Sequence, residues 1–96
     1  MDRAELERSW ATTAKYLNAA RDQLPAVPAP GADGATLSGF EECLHHNEME
    51  LALDELEDLG FTNAPPAEFW RQLMRAAENM GLSERAADFK QKMEAA

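Results

Sequence analysis

The chain has 96 residues, a formal net charge of −9 at pH 7 and a pI near 4.5. This excess of acid argues against nucleic acids and anionic membrane surfaces as partners, because both are bound through basic residues. Hydrophobic residues make up 45% of the chain, enough for one domain with a single core. Val occurs once and Ile is absent, so we expect an all-α fold of about five helices and no sheet.

The first helix is predicted over residues 1–23. Leu6, Trp10, Ala14 and Leu17 recur at steps of three and four and so form one apolar stripe. Three prolines between residues 25 and 30, followed by two glycines, end this helix. We therefore expect residues 24–35 to be a Pro/Gly/Ala-rich linker, semi-rigid at first and then loose, which would let the first helix dock independently.

The second helix opens a predicted compact core of four helices, residues 36–96, arranged in short antiparallel hairpins. Ser38 is the expected N-cap, with Glu41 completing a capping box. The helix is expected to end near residue 46. Asn47 then either adopts the left-handed conformation or caps the third helix, with Glu50 completing a second box.

The three remaining helices are separated by helix-breaking residues. The third is expected over residues 48–59 and is stopped by Gly60. Two prolines at 65 and 66 open the fourth, which carries Trp70 toward the core and ends at Gly81. Ser83 is the expected cap of the fifth.

Negative charge is concentrated between residues 36 and 64, where eight acids occur with no Lys or Arg. Like charges four residues apart in a helix cost roughly 0.2–0.5 kcal/mol a pair, and no base in the third helix relieves them. One interpretation is a solvated face that keeps a small protein soluble. We favour a docking face for a basic protein, since complementary charge speeds and selects association. The predicted partner-binding residues are Glu41, Glu50, Asp54, Glu57 and Asp58.

The sequence contains no convincing site for chemistry. Glu42 and His45 match one E-x-x-H element, but a carboxylate-bridged di-metal bundle needs two such elements, so we expect no metal and no cofactor. Cys43 is the only cysteine, and neighbouring acids should raise the pKa of its thiol and lower its reactivity. A lone cysteine fits a reducing compartment, so we predict a non-enzymatic cytoplasmic protein.

Residues 40–82 carry two motifs, F-x3-L-x2-N-E-x-E-L-A-L-D-x-L at 40–56 and P-x2-F-W-x2-L-x2-A-A-x2-M-G-L at 66–82. They resemble the small helical immunity proteins of bacterial polymorphic toxin systems, the MafI-like group. This resemblance implies tight binding of a cognate toxin, often a basic nuclease, which an acidic face would block. The first motif is also similar to the turn between paired helices of tetratricopeptide repeats, which implies the alternative of an adaptor or scaffold that binds a peptide or a helix.

Overall fold

A computed structural model describes residues 2–96. In this part of the chain there are five helices and no strand, which confirms the all-α prediction. The helices are α1 Arg3–Arg21, α2 Leu37–His45, α3 Met49–Asn63, α4 Ala67–Asn79 and α5 Ser83–Ala95. Among the described residues, every helix is too short or too polar to span a bilayer.

One core is shared by all five helices. α4 packs against α1, α3 and α5, while α2 packs on α3. Leu17 and Ala20 of α1 are fully buried, so the core extends beyond residues 36–96 and α1 packs within its own chain. A side-chain hydrogen bond supports this contact, since Asn79 Nδ2 donates to the buried Thr13 Oγ1 at 2.7 Å. Trp10 is half-buried against the same core.

The predicted linker, residues 24–35, is fastened to α3 from Ala29 onward. Asn63 exchanges two hydrogen bonds of 2.9 Å with the backbone N–H and C=O of Ala29. Asp58 accepts hydrogen bonds from backbone amides further along the linker. The expectation of a loose second half is therefore wrong, because side chains of α3 supply the partners that its backbone polar groups need.

The N-terminus of α2 differs from the expected capping box. Thr36 is the N-cap, and its Oγ1 accepts from the backbone N–H of Gly39 at 3.0 Å. The carboxylate that closes the box comes from α3, since Glu55 Oε2 accepts from the Thr36 N–H at 3.2 Å. Ser38 and Glu41 are both displaced from the roles predicted for them. A local sequence signature cannot reveal a capping partner that lies 19 residues away.

The two tight turns, α2–α3 and α4–α5, have the same backbone design. Asn47 and Gly81 adopt left-handed conformations with φ of 57° and 73°, and each follows its helix directly after the C-cap. In each turn the next residue, Glu48 or Leu82, donates its N–H back into the helix and at once becomes the N-cap of the following one. The left-handed alternative for Asn47 and the end of α4 before Gly81 are confirmed. Because the preceding residue occupies the cap position, Ser83 does not cap α5.

Gly60 does not end α3, which continues to Asn63 and is followed by Ala64 in a left-handed conformation with φ of 46°. Gly60 instead allows α4 to approach closely. A Cβ at this position would lie 2.5 Å from a ring atom of Phe69 and 2.7 Å from one of Trp70. The predicted core position of Trp70 is confirmed, as its side chain is buried among the rings of α3, α4 and α5.

Candidate functional site

The packing of α3 divides the acidic residues into groups with different surroundings. Asp58, predicted to bind a partner, is buried. Its carboxylate accepts from the backbone N–H of Asp33 at 3.1 and 3.2 Å and from that of Ala35 at 3.0 Å. The linker passes so close that a Cβ at Gly31 would lie 2.0 Å from Asp58 Oδ2. Asp58 therefore holds the linker on α3, and the prediction that it lies on an exposed acidic face is wrong.

Asp54 and Glu57 form ion pairs with bases of α5. Arg85 Nη1 lies 2.5 Å from Asp54 Oδ1, and Arg85 Nη2 lies 2.9 Å from Glu57 Oε1. Lys92 Nζ lies 3.9 Å from the other oxygen of Glu57. The repulsion expected within α3 is therefore relieved from another helix, and two acids face two bases with no local net charge.

The sequence analysis did not predict that Arg85 pairs with α3, because it considered only bases within the acidic segment, and Arg85 lies outside it. One signal was available, since Arg85 and Lys92 are seven residues apart and therefore lie on one face of α5. The apolar residue Phe89 lies on the same face, and the Arg85 guanidinium is 5.5 Å from the centre of its ring. An apolar residue flanked by two bases on one face indicates a face that packs against an acidic helix.

Of the eight acids between residues 36 and 64, four have neither a base within ion-pair distance nor a side-chain hydrogen bond to another part of the fold among residues 2–96, and they surround the turn between α2 and α3. They are Glu41, Glu42, Glu48 and Glu50. All four are exposed, and we call them the acidic surface. Two lie in the last two turns of α2, and two flank the start of α3. The sequence predicts Glu41 and Glu50 as partner-binding residues. It does not single out Glu42 and Glu48, which the structure places on the same surface.

The acidic surface also contains an exposed apolar side chain. Leu51 is 52% exposed and follows Glu48 by three residues on α3, so the two side chains are neighbours on the helix surface. The exposed rings of His45 and His46 meet edge to face at the same turn, with centroids 5.3 Å apart. The surface therefore combines negative charge with an apolar side chain and two aromatic rings.

The surroundings of Cys43 disfavour the reactive thiolate. The side chain is half-buried, and its pKa is raised first by burial and then by the nearby carboxylates of Glu48, Glu55, Glu42 and Asp54. The direction agrees with the sequence prediction, although burial is the larger cause. Within the described residues, no three His, Cys, Asp or Glu side chains are placed to hold a metal ion.

No protein-family model, no curated protein and no solved structure matches this chain. The likeness of residues 40–82 to immunity proteins or to tetratricopeptide repeats therefore remains a prediction from the sequence.

Proposed function

We propose that this chain is a non-enzymatic binding module that docks a basic protein on its acidic surface. The observation that carries the proposal is the placement of Glu41, Glu42, Glu48 and Glu50, which are exposed and have no ion-pair partner in residues 2–96. The acids that follow them in α3 all contact other parts of the fold. Repulsion within the acidic surface lowers stability and has no compensating contact within the fold, so a partner of opposite charge is the natural complement.

Leu51 gives this surface an apolar contact point. Protein interfaces gain most of their affinity from a few side chains that lose water on binding, while surrounding charges govern the rate and choice of partner. In this arrangement Leu51 would contribute affinity, and the unpaired glutamates beside it would govern the rate and choice of partner.

The specific activity that we propose is that of an immunity protein, which acts in the bacterial cytoplasm to neutralise a basic toxin, for example a nuclease. An enzyme that binds phosphate groups needs a basic surface, and an acidic protein can cover it. The alternative is a helical adaptor or scaffold, similar to tetratricopeptide repeats, that binds a peptide or a helix. The motifs in residues 40–82 favour both classes, and partner toxicity distinguishes them.

The test begins with the partner that copurifies from the native host and is identified by mass spectrometry. Association rates are then measured by surface plasmon resonance at two salt concentrations. We expect Glu41→Lys combined with Glu42→Lys to slow association by about tenfold or more at low salt. The matched control carries the same charge change on α5, with Asp88→Lys and Glu94→Lys, and should slow it much less.

A second pair of variants tests the apolar contact. Leu51→Ala should speed dissociation, whereas Val27→Ala, at a side chain that is 89% exposed on the linker, should not. Equal association rates for the charge-reversal variant and its control would overturn the docking proposal. If the partner is toxic to the host and this chain rescues growth, the immunity activity is supported; a harmless partner supports the adaptor.

A further inference from the structure

A cleft lies at the opposite end of α3 from the acidic surface. It has a volume of about 440 Å³ and is lined by Gly60, Phe61, Ala64, Pro65, Trp70 and Lys92, with the last turn of α5 closing one side. Phe61 is 59% exposed, and its ring centroid lies 5.8 Å from that of Trp70. The walls are thus mostly apolar, which is typical of sites that take small organic ligands.

Lys92 provides the one charged side chain among the residues that line this cleft. Its Nζ lies 5.3 Å from the centre of the Phe61 ring and 5.9 Å from the centre of the Trp70 ring. The nearest carboxylate oxygen is Glu57 Oε2 at 3.9 Å, and the other oxygen of Glu57 is held by Arg85 at 2.9 Å. The contact to Glu57 is therefore long, and the Lys92 ammonium keeps capacity to donate hydrogen bonds.

We propose that this cleft binds a small carboxylic acid with an aromatic or branched apolar body. The apolar body would lie against the side chains of Phe61, Pro65 and Trp70, and its carboxylate would accept a charge-assisted hydrogen bond from Lys92. An anionic ligand is unexpected for a chain with net charge −9, but the α3 acids that face α5, Asp54 and Glu57, are each paired with a base of α5. The four glutamates of the acidic surface lie roughly 16 Å or more away along α3, beyond the Debye length at physiological salt.

The test uses two probes that differ only in charge, 3-phenylpropionate and 3-phenylpropanamide, added to ¹⁵N-labelled full-length chain. We expect the acid to shift the backbone amides of Gly60, Phe61 and Ala64 in NMR spectra. It should bind about tenfold more tightly than the amide, the usual order of the gain from a charged hydrogen bond. Lys92→Gln should abolish that preference. The matched control Lys90→Gln, also on α5, should retain it.

Circular dichroism checks that each variant is folded, and Phe61→Ala tests the apolar wall independently of charge. Loss of binding in folded Phe61→Ala supports the proposal. Equal binding of the acid and the amide, shifts spread over the whole surface, or a retained preference in Lys92→Gln would each overturn it. Tighter binding of acetyl-Gly-Gly-Phe than of 3-phenylpropionate would overturn the small-acid assignment in favour of a peptide C-terminus. None of these results bears on the acidic surface.

Discussion

Replacing Asp58 with Ala should release the linker from α3 and destabilise the whole domain. The carboxylate is the acceptor for the backbone N–H groups of Asp33 and Ala35, at 3.1 and 3.0 Å. Alanine supplies no acceptor and leaves a gap beside Gly31, where the linker backbone approaches the carboxylate. Because the linker joins α1 to the rest of the core, its release also loosens the packing of α1.

The magnitude follows from two unsatisfied amides. A buried donor that loses its partner costs about 1–3 kcal/mol, and the bonds here go to a charged acceptor. Asp33 is exposed, so water replaces part of its lost bond. Removing the Asp58 charge also relieves its repulsion with Asp54 four residues earlier, which stabilises the fold by a few tenths of a kcal/mol. We therefore expect Asp58→Ala to lower the free energy of unfolding by about 2–4 kcal/mol. Asp58→Asn keeps one acceptor oxygen, so we expect about half of that loss.

The assay is urea unfolding followed by circular dichroism, with hydrogen exchange measured at individual amides. Exchange of the Asp33 and Ala35 amides should accelerate in Asp58→Ala before global unfolding. The control is Asp54→Ala, which removes an acid from the same helix but only a half-exposed ion pair, worth about 0–1 kcal/mol. If the two variants are equally stable, or the two amides exchange equally fast in both, Asp58 does not hold the linker.

Three smaller predictions concern the other contacts between helices. Gly60→Ala should destabilise the fold by about 1–3 kcal/mol in urea unfolding, because its methyl group overlaps aromatic rings of α4. Thr13→Val should lower the thermal midpoint by a few degrees, reflecting about 1 kcal/mol, since Asn79 loses its buried acceptor. The pKa of Glu68 lies below its ordinary value of 4.5, chiefly because Gln72 donates a hydrogen bond to it. This contribution to stability is present above the ordinary pKa and is lost as the pH falls through the lowered one. In an NMR titration, Gln72→Ala should raise the Glu68 pKa.

The helices were predictable because each is bounded by residues that act locally. Prolines 25, 28 and 30 end the region of α1, and left-handed Gly81 follows α4. Hydrophobic spacing likewise placed Leu17 and Trp70 in the core, where both are found. These features depend on local backbone conformation and on which face of a helix is apolar, and residues close in sequence determine both.

The features that sequence reasoning missed depend on contacts between distant residues. Gly60 was interpreted as a helix end because glycine is common there, but its actual role is set by rings on α4. Glu55 caps α2 from α3, and Arg85 pairs with α3 from α5. Asp58 was assigned to a docking face because spacing within α3 cannot reveal that the linker returns over it. In each case the role of the residue depends on a contact with a distant part of the chain, which its neighbours in sequence do not reveal.

These contacts separate the acids that the fold uses from those that it does not. Asp58 holds the linker, Glu55 caps α2, and Asp54 and Glu57 pair with α5. The acidic surface has no such structural partner. Reversing its charge should therefore affect association and not folding.

The double variant Glu41→Lys and Glu42→Lys tests whether the acidic surface contributes to the stability of the fold. Both residues are exposed on α2, and Glu42 lies in its last turn, where the helix dipole favours positive charge. Four acids repelling one another become two acids and two bases, so we expect stability to be unchanged or to rise by a few tenths of a kcal/mol. Urea unfolding checks this, with Glu57→Lys as the contrast that should destabilise, because it places a third base beside Arg85 and Lys92. A clear loss of stability in the double variant would show that the acidic surface is part of the fold, and its availability to a partner would have to be reconsidered.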